Sequence, residues 1–501
     1  MVGERLFPFH GGLLLRHHKK ISCEIPIEHA PLPQRLYVPL LQQTGVEAEP
    51  AVHEGQQVLK GEPIGSFRQL GSGCVHAPTS GTVSAIVRHP ISHPSGREGT
   101  CIVIRPDGLD QWTGLEPLEN WTEAAPEALL ERIRQSGIVG LGGAMFPTAY
   151  KVNEARNKGI HTLILNGSEC EPWISCDEML MQEQPDSIVL GARILQRAVG
   201  AERTVIAIED QMGAVHQALD DAVRRSGAEC VDVVRVITRY PEGGERQLIQ
   251  VLTGLEVPAG GRPADLGLLC QNVATATAAA RAVVEGKPLV ERIVTVTGSG
   301  VRRPRNLLAA IGTPVAELVE QAGGYAPGAT RLLLGGPMMG FPLASDRNPV
   351  TKAANCVLVL TGADLVDTQP ELPCIRCGEC AAVCPAQLLP QQLNGLIRAE
   401  RWNDATRAGL ADCIECGCCD VVCPSHIPLV EWFRFGKSAV RERDEEQRRA
   451  ELARRRFEAR EERLERRKQE RKQRIAEKKR ALRDNQVSRD RIAEAVERAR
   501  K

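Results

Sequence analysis

Aromatic residues are scarce in this chain of 501 residues: Trp, Tyr and Phe together make up 3%. No basic stretch is interleaved with them, so a nucleic-acid groove is excluded. Long apolar runs are missing too. No stretch of about 18 apolar residues occurs, and no segment is expected to span a bilayer. The apolar stretch from Gly11 to Leu15 is stopped by Arg16, His17 and His18, so a secretory signal is not expected and the chain reads as cytosolic or facing the cytosol. Net charge is also absent, with 63 basic and 63 acidic residues. That zero hides a split. From Arg441 to Lys501 there are 24 Lys and Arg against 15 Asp and Glu, a net of +9, so the body before it carries −9.

What the chain does have is apolar content of 42%, enough for several cores, and 17 cysteines. Nine cysteines fall between Cys374 and Cys423. Clustering of this kind in a long reduced chain points to metal rather than to a disulfide scaffold. The scattered Cys23, Cys74, Cys101, Cys230, Cys270 and Cys356 are expected as small buried residues. His10, His17 and His18 are expected in a solvated basic stretch.

The cysteine array is a duplication. Cys374, Cys377, Cys380 and Cys384 with Pro385 follow C-x2-C-x2-C-x3-C-P, and Cys413, Cys416, Cys419 and Cys423 with Pro424 repeat it spacing for spacing. Three thiolates at this spacing wrap one cubane, while the fourth points along the departing chain to the partner cluster. The assignment is crossed: Cys374, Cys377, Cys380 and Cys423 on one [4Fe–4S] cluster, and Cys413, Cys416, Cys419 and Cys384 on the other. Zinc, which is served by two CxxC pairs, has no use for the C-P position. Cys418 lies off register as a non-ligand beside a cluster. Between the runs, 391–398 and 402–408 have helical spacing, as in α-helical dicluster ferredoxins.

Upstream, residues 35–106 alternate apolar and polar positions with frequent turns and predict a small β domain resembling lipoyl and biotinyl carriers. No lysine occurs between Gly65 and His76, so a structural sandwich without a prosthetic group is expected. Residues 123–285 alternate helices (125–135, 190–198, 214–225) with short β-rich runs (161–165, 204–208), predicting α/β organisation with parallel strands. Gly140-Leu141-Gly142-Gly143-Ala144-Met145-Phe146-Pro147-Thr148-Ala149-Tyr150-Lys151 is a glycine-rich loop that could press backbone against a phosphate or a flavin ring. Asn166-Gly167-Ser168-Glu169-Cys170-Glu171-Pro172 follows a buried β-run, where α/β sheets place ligands.

These two segments resemble the flavin- and NADH-binding motifs of the flavoprotein subunit of respiratory complex I, GRGGAGFPTGxK and NADEGEP. Tyr240-Pro241-Glu242-Gly243-Gly244-Glu245 and Gln271-Asn272-Val273-Ala274-Thr275 resemble its later flavin-contacting segments. Residues 294–300, 311–314 and 335–340 look like its soluble-ligand-binding β-grasp module. The order of modules resembles the RnfC family, found in the Rnf (Rsx) ion-translocating electron-transport complexes, over residues 5–435.

The resemblance implies a multidomain α/β chain. Its parts are a lipoyl-like β-sandwich (1–122), a complex-I-flavoprotein-like α/β domain (123–288), a β-grasp module (289–364), an α-helical dicluster [4Fe–4S] ferredoxin domain (365–436, halves 365–394 and 404–433) and a charged tail, helical or disordered (437–501). It further implies two [4Fe–4S] clusters, FMN, and NADH as substrate. Gly140, Gly142, Gly143, Lys151, Asn166, Glu169, Glu171, Glu245 and Asn272 are the implied nucleotide-site residues, with Glu169 and Glu171 sharing one face of an extended segment. The implied role is a peripheral electron-input subunit on the cytoplasmic side of a bacterial inner membrane. Its partners would be the other subunits of the complex and ferredoxin or another low-potential carrier, with no nucleic acid. Leu141, Met145, Ala149, Ser168, Cys170 and Gly244 depart from the complex I motifs, and two of these departures remove acidic groups. They leave two other readings open: a non-catalytic cluster scaffold with a vestigial nucleotide site, or a soluble flavin-dependent NADH dehydrogenase.

Overall fold

The computed structural model describes residues 5–45, 47–67, 73–365 and 369–500. Near the N-terminus two antiparallel sheets face each other. One carries Leu36–Pro39, Glu98–Pro106, Gly81–Pro90 and Gln57–Val58 in that order, and the other Glu49–Pro50, Pro63–Ser66 and Cys74–His76. Alternating side chains such as Leu36, Val38, Ile102 and Ile104 turn inward and are fully buried. This is the expected sandwich. The connection where a carrier lysine would stand, residues 68–72, lies outside the described residues.

The α/β domain is built on a parallel sheet with strand order Val231–Val236, Arg203–Glu209, Thr162–Gly167, Leu268–Asn272. Both faces are covered, which is why these strands read as unbroken apolar runs. Leu163, Leu165, Ile206 and Ile208 pack towards helices Pro185–Val199, Gly213–Ser226 and Val273–Val284. Their neighbours Ile164, Val205 and Ala207 pack on the other side against helix Glu245–Thr253. Helices Pro185–Val199 and Val273–Val284 approach closely. A Cβ added to Gly191 would lie 2.0 Å from the Ala276 carbonyl oxygen, so only glycine fits there.

The β-grasp sheet has the order Glu28–His29, Arg305–Ala310, Glu291–Thr297, Cys356–Thr361, Ala329–Leu334, Phe341–Pro342, with helix Val315–Gln321 on its core. Residues 28 and 29, expected within the sandwich, instead extend this sheet by pairing with Leu307 and Leu308. The N-terminal stretch leaves His10 and His18 exposed, as expected, and His17 half-buried, but it is packed against the body of the protein. The ring of His18 stacks on Trp173 at 4.3 Å, Lys19 is buried, and Phe7 donates its N–H to the Val251 carbonyl. Tertiary packing claims a segment whose local composition reads as basic and soluble.

In the dicluster domain the sequence duplication is repeated in the backbone. Arg376 and Glu415 both have φ of 58°, Gly378 and Gly417 have φ of 86° and 79°, and Gln387 and His426 have 52° and 51°. Each run then enters a one-turn helix, Glu379–Ala382 or Cys418–Val421. Helices Pro390–Arg398 and Trp402–Arg407 connect the runs, and no strand occurs among the described residues of 369–428.

Helix Leu429–Arg500 begins inside this domain, burying Leu429, Val430, Phe433 and Gly436, and then runs out fully exposed. The boundary expected at 436/437 therefore cuts through a continuous helix. Its outer part is held by pairs such as Arg454–Glu458 and Arg498–Glu494, worth about 0.2–0.5 kcal/mol each. Cys230 is exposed rather than buried, because it stands in the turn before the edge strand Val231–Val236.

Candidate functional site: a nucleotide edge against a cysteine array

In an open parallel sheet, ligands bind beyond the strand C-termini where the strand order reverses. That point lies between Thr162–Gly167 and Leu268–Asn272, whose last polar residues are Asn166 and Asn272. The glycine loop packs beside it. It is closed on itself by Gly140 N–H to the Phe146 carbonyl (2.8 Å), and it is anchored by Leu141 N–H to Thr275 Oγ1 (2.9 Å) and by Arg292 donating to the Leu141 carbonyl (3.1 Å). From the sandwich, Thr44 N–H reaches the Met145 carbonyl at 3.1 Å. Gly143 has φ of +116°, and a Cβ built there meets nothing within 4 Å. The loop thus presents bare backbone to open space, which leaves room for a flavin or phosphate to approach it closely.

The remaining expected residues divide into three groups. Asn272 adjoins the loop. It faces Gly142, caps helix Val273–Val284 by accepting from Ala274 N–H, and donates to Asp177 Oδ2 at 2.6 Å. Lys151 and Glu245 are brought together as an ion pair of 2.6 Å, with Lys151 Nζ also on the Cys270 carbonyl (2.8 Å). Asn166 is a brace, donating to the Gly243 carbonyl at 2.7 Å and accepting from Ser168 N–H.

Glu169 and Glu171 do not share a face. The segment leaves the sheet after Gly167 and loses its strand geometry. Glu169 turns to the start of helix Cys176–Glu183, accepting from Asp177 N–H (3.0 Å) and Glu178 N–H (3.3 Å), where an anion is favoured. Glu171 turns to the β-grasp loop and accepts from the N–H groups of Met338 (2.7 Å) and Met339 (3.1 Å). Gly336 is required there, since a Cβ would lie 2.2 Å from Glu171 Cγ.

Three further contributors were not singled out from the sequence. Lys19, 5% exposed, stands 3.6 Å from Glu169 Oε2 and donates to the Glu169 carbonyl. Burial works against its charge, but Glu169, Glu209 and Glu178 outweigh it and hold the ammonium protonated. Asp177 is pushed up to about 6 by burial and by Glu169. Glu242 is fully buried, accepts from Ser168 Oγ at 2.7 Å, and burial pushes it up to about 8. Ser168 and Gly244 stand where the complex I motifs are acidic, and Glu242 returns a carboxylate to the same place. Its position two residues before Gly244 was the available clue.

Cys374, Cys377, Cys380 and Cys423 line one cavity with Gln391 and Asn394. Cys384 lies near Cys416 and is close enough to Cys413 and Cys419 to raise their thiols, which burial raises first, Cys413 to about 11. Each group thus contains one cysteine from the opposite run. Such thiols must be deprotonated to bind iron, and four converging sulfurs are a donor set that fits a [4Fe–4S] cluster. Cys418 is fully buried and hydrogen-bonded to Cys416.

The Cys413 group lies against the nucleotide edge. Cys416 and Cys418 pack with Cys170, Tyr240, Leu13 and Met338, and Tyr240 Oη donates to the Cys416 carbonyl at 2.7 Å. The N-terminal arm ties the domains together. Leu13 exchanges backbone hydrogen bonds with Tyr240, and Gly12 N–H donates to the carbonyl of Val383, the residue before Cys384.

Comparison with known proteins places four family models on the chain: the RnfC barrel sandwich hybrid domain on residues 7–109, the Nuo51 FMN-binding domain on 133–281, the SLBB domain on 293–342 and the 4Fe-4S dicluster domain on 372–427. Among curated proteins, the C-subunit of the ion-translocating oxidoreductase complex of Pseudomonas aeruginosa is 48% identical over 452 residues, 90% of this chain and 58% of its own length. That of Edwardsiella ictaluri is 47% identical over 460 residues, 91% of this chain and 56% of its own. That of Yersinia pestis bv. Antiqua is 44% identical over 456 residues, 91% of this chain and 73% of its own. The chain thus spans little more than half the length of the first two. Among the described residues, no helix is long and apolar enough to cross a membrane.

Proposed function

The chain belongs to the RnfC family, the C-subunits of ion-translocating oxidoreductase complexes, and on that footing we propose that it is the electron-input subunit of such a complex. It would take electrons from NADH and pass them towards a ferredoxin-type or other low-potential carrier. It would lie peripherally on the cytoplasmic side of the inner membrane, with ion movement in other subunits. When bound, FMN would turn a two-electron donor into single electrons, and two [4Fe–4S] clusters would relay them.

The chain's own residues supply the positioning. Gly140, Gly142 and Gly143 offer backbone to the flavin, and Asn272 fixes the adjoining helix end. Asn166 holds the Gly243 turn, and Lys151 with Glu245 sets charge at the rim. Glu169 and Glu171 act one step back, by locking helix Cys176–Glu183 and the Met338–Met339 loop around the site. Cys384, Cys413, Cys416 and Cys419 would hold the cluster nearest the nucleotide. Cys374, Cys377, Cys380 and Cys423 would hold the outer one.

The observation that carries this reading is the buried contact of Tyr240 and Cys170, from the nucleotide loops, with Cys416 and Cys418. It joins the nucleotide-side loops to the sulfur array through a buried, hydrogen-bonded contact. A second reading, a relay whose α/β domain docks without nucleotide, draws on the Lys151–Glu245 pair, which spends the loop's lysine internally.

The test is the cofactor inventory of the anaerobically purified parent and of Gly143→Val. FMN is expected in the parent. Flavin should be lost from the variant, where a branched side chain is strained at φ of +116° and stands between the backbone and the ring, with iron and sulfide unchanged. Flavin absent from the parent, or fully retained in the variant, would move the second reading ahead.

A further inference from the structure

A small cavity lies where the sandwich, the α/β domain and the β-grasp module meet, behind the glycine loop. Its walls include Gln42 and Cys74 from the first, Arg134, Gly137 and Pro147 from the second, and Lys352 from the third. It has room for about one water-sized occupant. Lys352 is 2% exposed, and its Nζ donates to the carbonyls of Gly137 (2.7 Å) and Cys74 (3.4 Å). That leaves one ammonium proton. Among the described residues no carboxylate pairs with it.

Gln42, 1% exposed, accepts from the Lys352 backbone N–H through Oε1 at 3.1 Å. This contact fixes the amide's orientation and leaves Nε2, with two protons, buried and without a partner. Arg134 at the wall is ion-paired with Glu131 through two hydrogen bonds, so the two charges offset each other. The other titratable neighbours bring no charge. His76 is held neutral, burial pushing it down to about 3, and burial raises the Cys74 thiol. The wall therefore combines buried donors with the single charge of Lys352, which no carboxylate among the described residues pairs.

We propose that this cavity is a binding site for one small monovalent anion of halide size, held by Lys352 Nζ and Gln42 Nε2. A buried ammonium without a counter-charge is costly. Burial is the largest influence on Lys352 and pushes it down to about 8, and a bound anion would offset that cost. Chloride, only slightly larger than water, matches the chemistry, because it only accepts, from several donors at once, and is less strongly hydrated than phosphate or sulfate. Phosphate and sulfate are too large. Because the donors come from different domains and Pro147 ends the glycine loop, occupancy would clamp three modules and brace the loop from behind. The site is independent of what that loop binds.

The test is thermal melting of the full chain at constant ionic strength in sodium chloride, sodium bromide and sodium gluconate, with crystals grown in bromide. The expected result is a melting temperature that rises with the logarithm of chloride or bromide concentration and not with gluconate. An anomalous bromide peak is expected within contact distance of both Lys352 Nζ and Gln42 Nε2. Gln42→Glu places a fixed carboxylate beside the ammonium. It should lose the halide dependence and melt in gluconate at least as high as the parent does in chloride. Identical melting of the parent in chloride and gluconate, a bromide map without that peak, or undiminished halide dependence in Gln42→Glu would each overturn the proposal and leave a water in the cavity. If Gln42→Glu fails to fold, the parent's bromide map decides alone.

Discussion

Replacing Lys19 by methionine removes one charged group from the molecule and should be felt across the nucleotide edge. The ammonium is 5% exposed, 3.6 Å from Glu169 Oε2, bonded to the Glu169 carbonyl and flanked by Glu209 and Glu178. Methionine is close in volume and leaves no large cavity, so the cost is electrostatic. Removing one partner of a buried pair costs about 3–5 kcal/mol. Glu169 keeps the N–H groups of Asp177 and Glu178, which places this case at the lower end, about 3 kcal/mol.

The assay is urea unfolding of the α/β transition at pH 7.5 and pH 5, with hydrogen exchange of residues 168–183. The loss should shrink at pH 5, because a carboxylate that has lost its cation can take up a proton there instead. Adding Glu169→Gln to Lys19→Met should recover about 2 kcal/mol through the coupling of the pair. A cost under about 1 kcal/mol at both pH values, with unchanged exchange, would refute the idea that this lysine anchors the site.

Three further outcomes follow from the geometry. Cys423→Ala should degrade the EPR signal of the cluster assigned to Cys374, Cys377 and Cys380, and Cys384→Ala that of the other; damage confined to each mutation's own run would reverse the ligation. Tyr240→Phe strips the donor from the buried Cys416 carbonyl without changing shape, a loss of about 1–3 kcal/mol that limited proteolysis should register as a looser dicluster domain, with slower NADH-driven reduction of the clusters. Glu242, with its folded-state value raised to about 8, supports folding fully below about pH 4.5 and loses that contribution as pH rises through 8. Glu242→Gln should flatten that slope and stabilise the protein above pH 8, by an upper bound on the order of 5 kcal/mol, and a denaturation series that keeps the parent's slope would count against it.

Much of the architecture was legible before the structure because its signals are local. Alternation of Leu36, Val38, Ile102 and Ile104 marks a half-buried pleat, and the unbroken runs at 162–167 and 203–209 mark strands covered on both faces. The cysteine runs announced themselves because cluster ligands must come from one tight loop at fixed spacing. The glycine loop was legible for a similar reason, since only glycine at 143 lies easily at φ of +116°.

What the chain segments do to one another was decided only by tertiary structure. Glu169 and Glu171, two residues apart, part company because one meets a helix start and the other the loop of a domain some 170 residues away. Nothing around Lys19 in Arg16-His17-His18-Lys19-Lys20 says that the first lysine is buried and the second exposed. That choice belongs to the acidic groups Glu169, Glu178 and Glu209, which arrive from distant segments. Likewise Lys352 and Gln42, 310 positions apart, become one wall only when three domains close on it. Spacing and periodicity encode what a residue can do within a turn or two of itself. Charge compensation in a low-dielectric interior depends on which distant groups arrive there, and the folded contacts alone specify that.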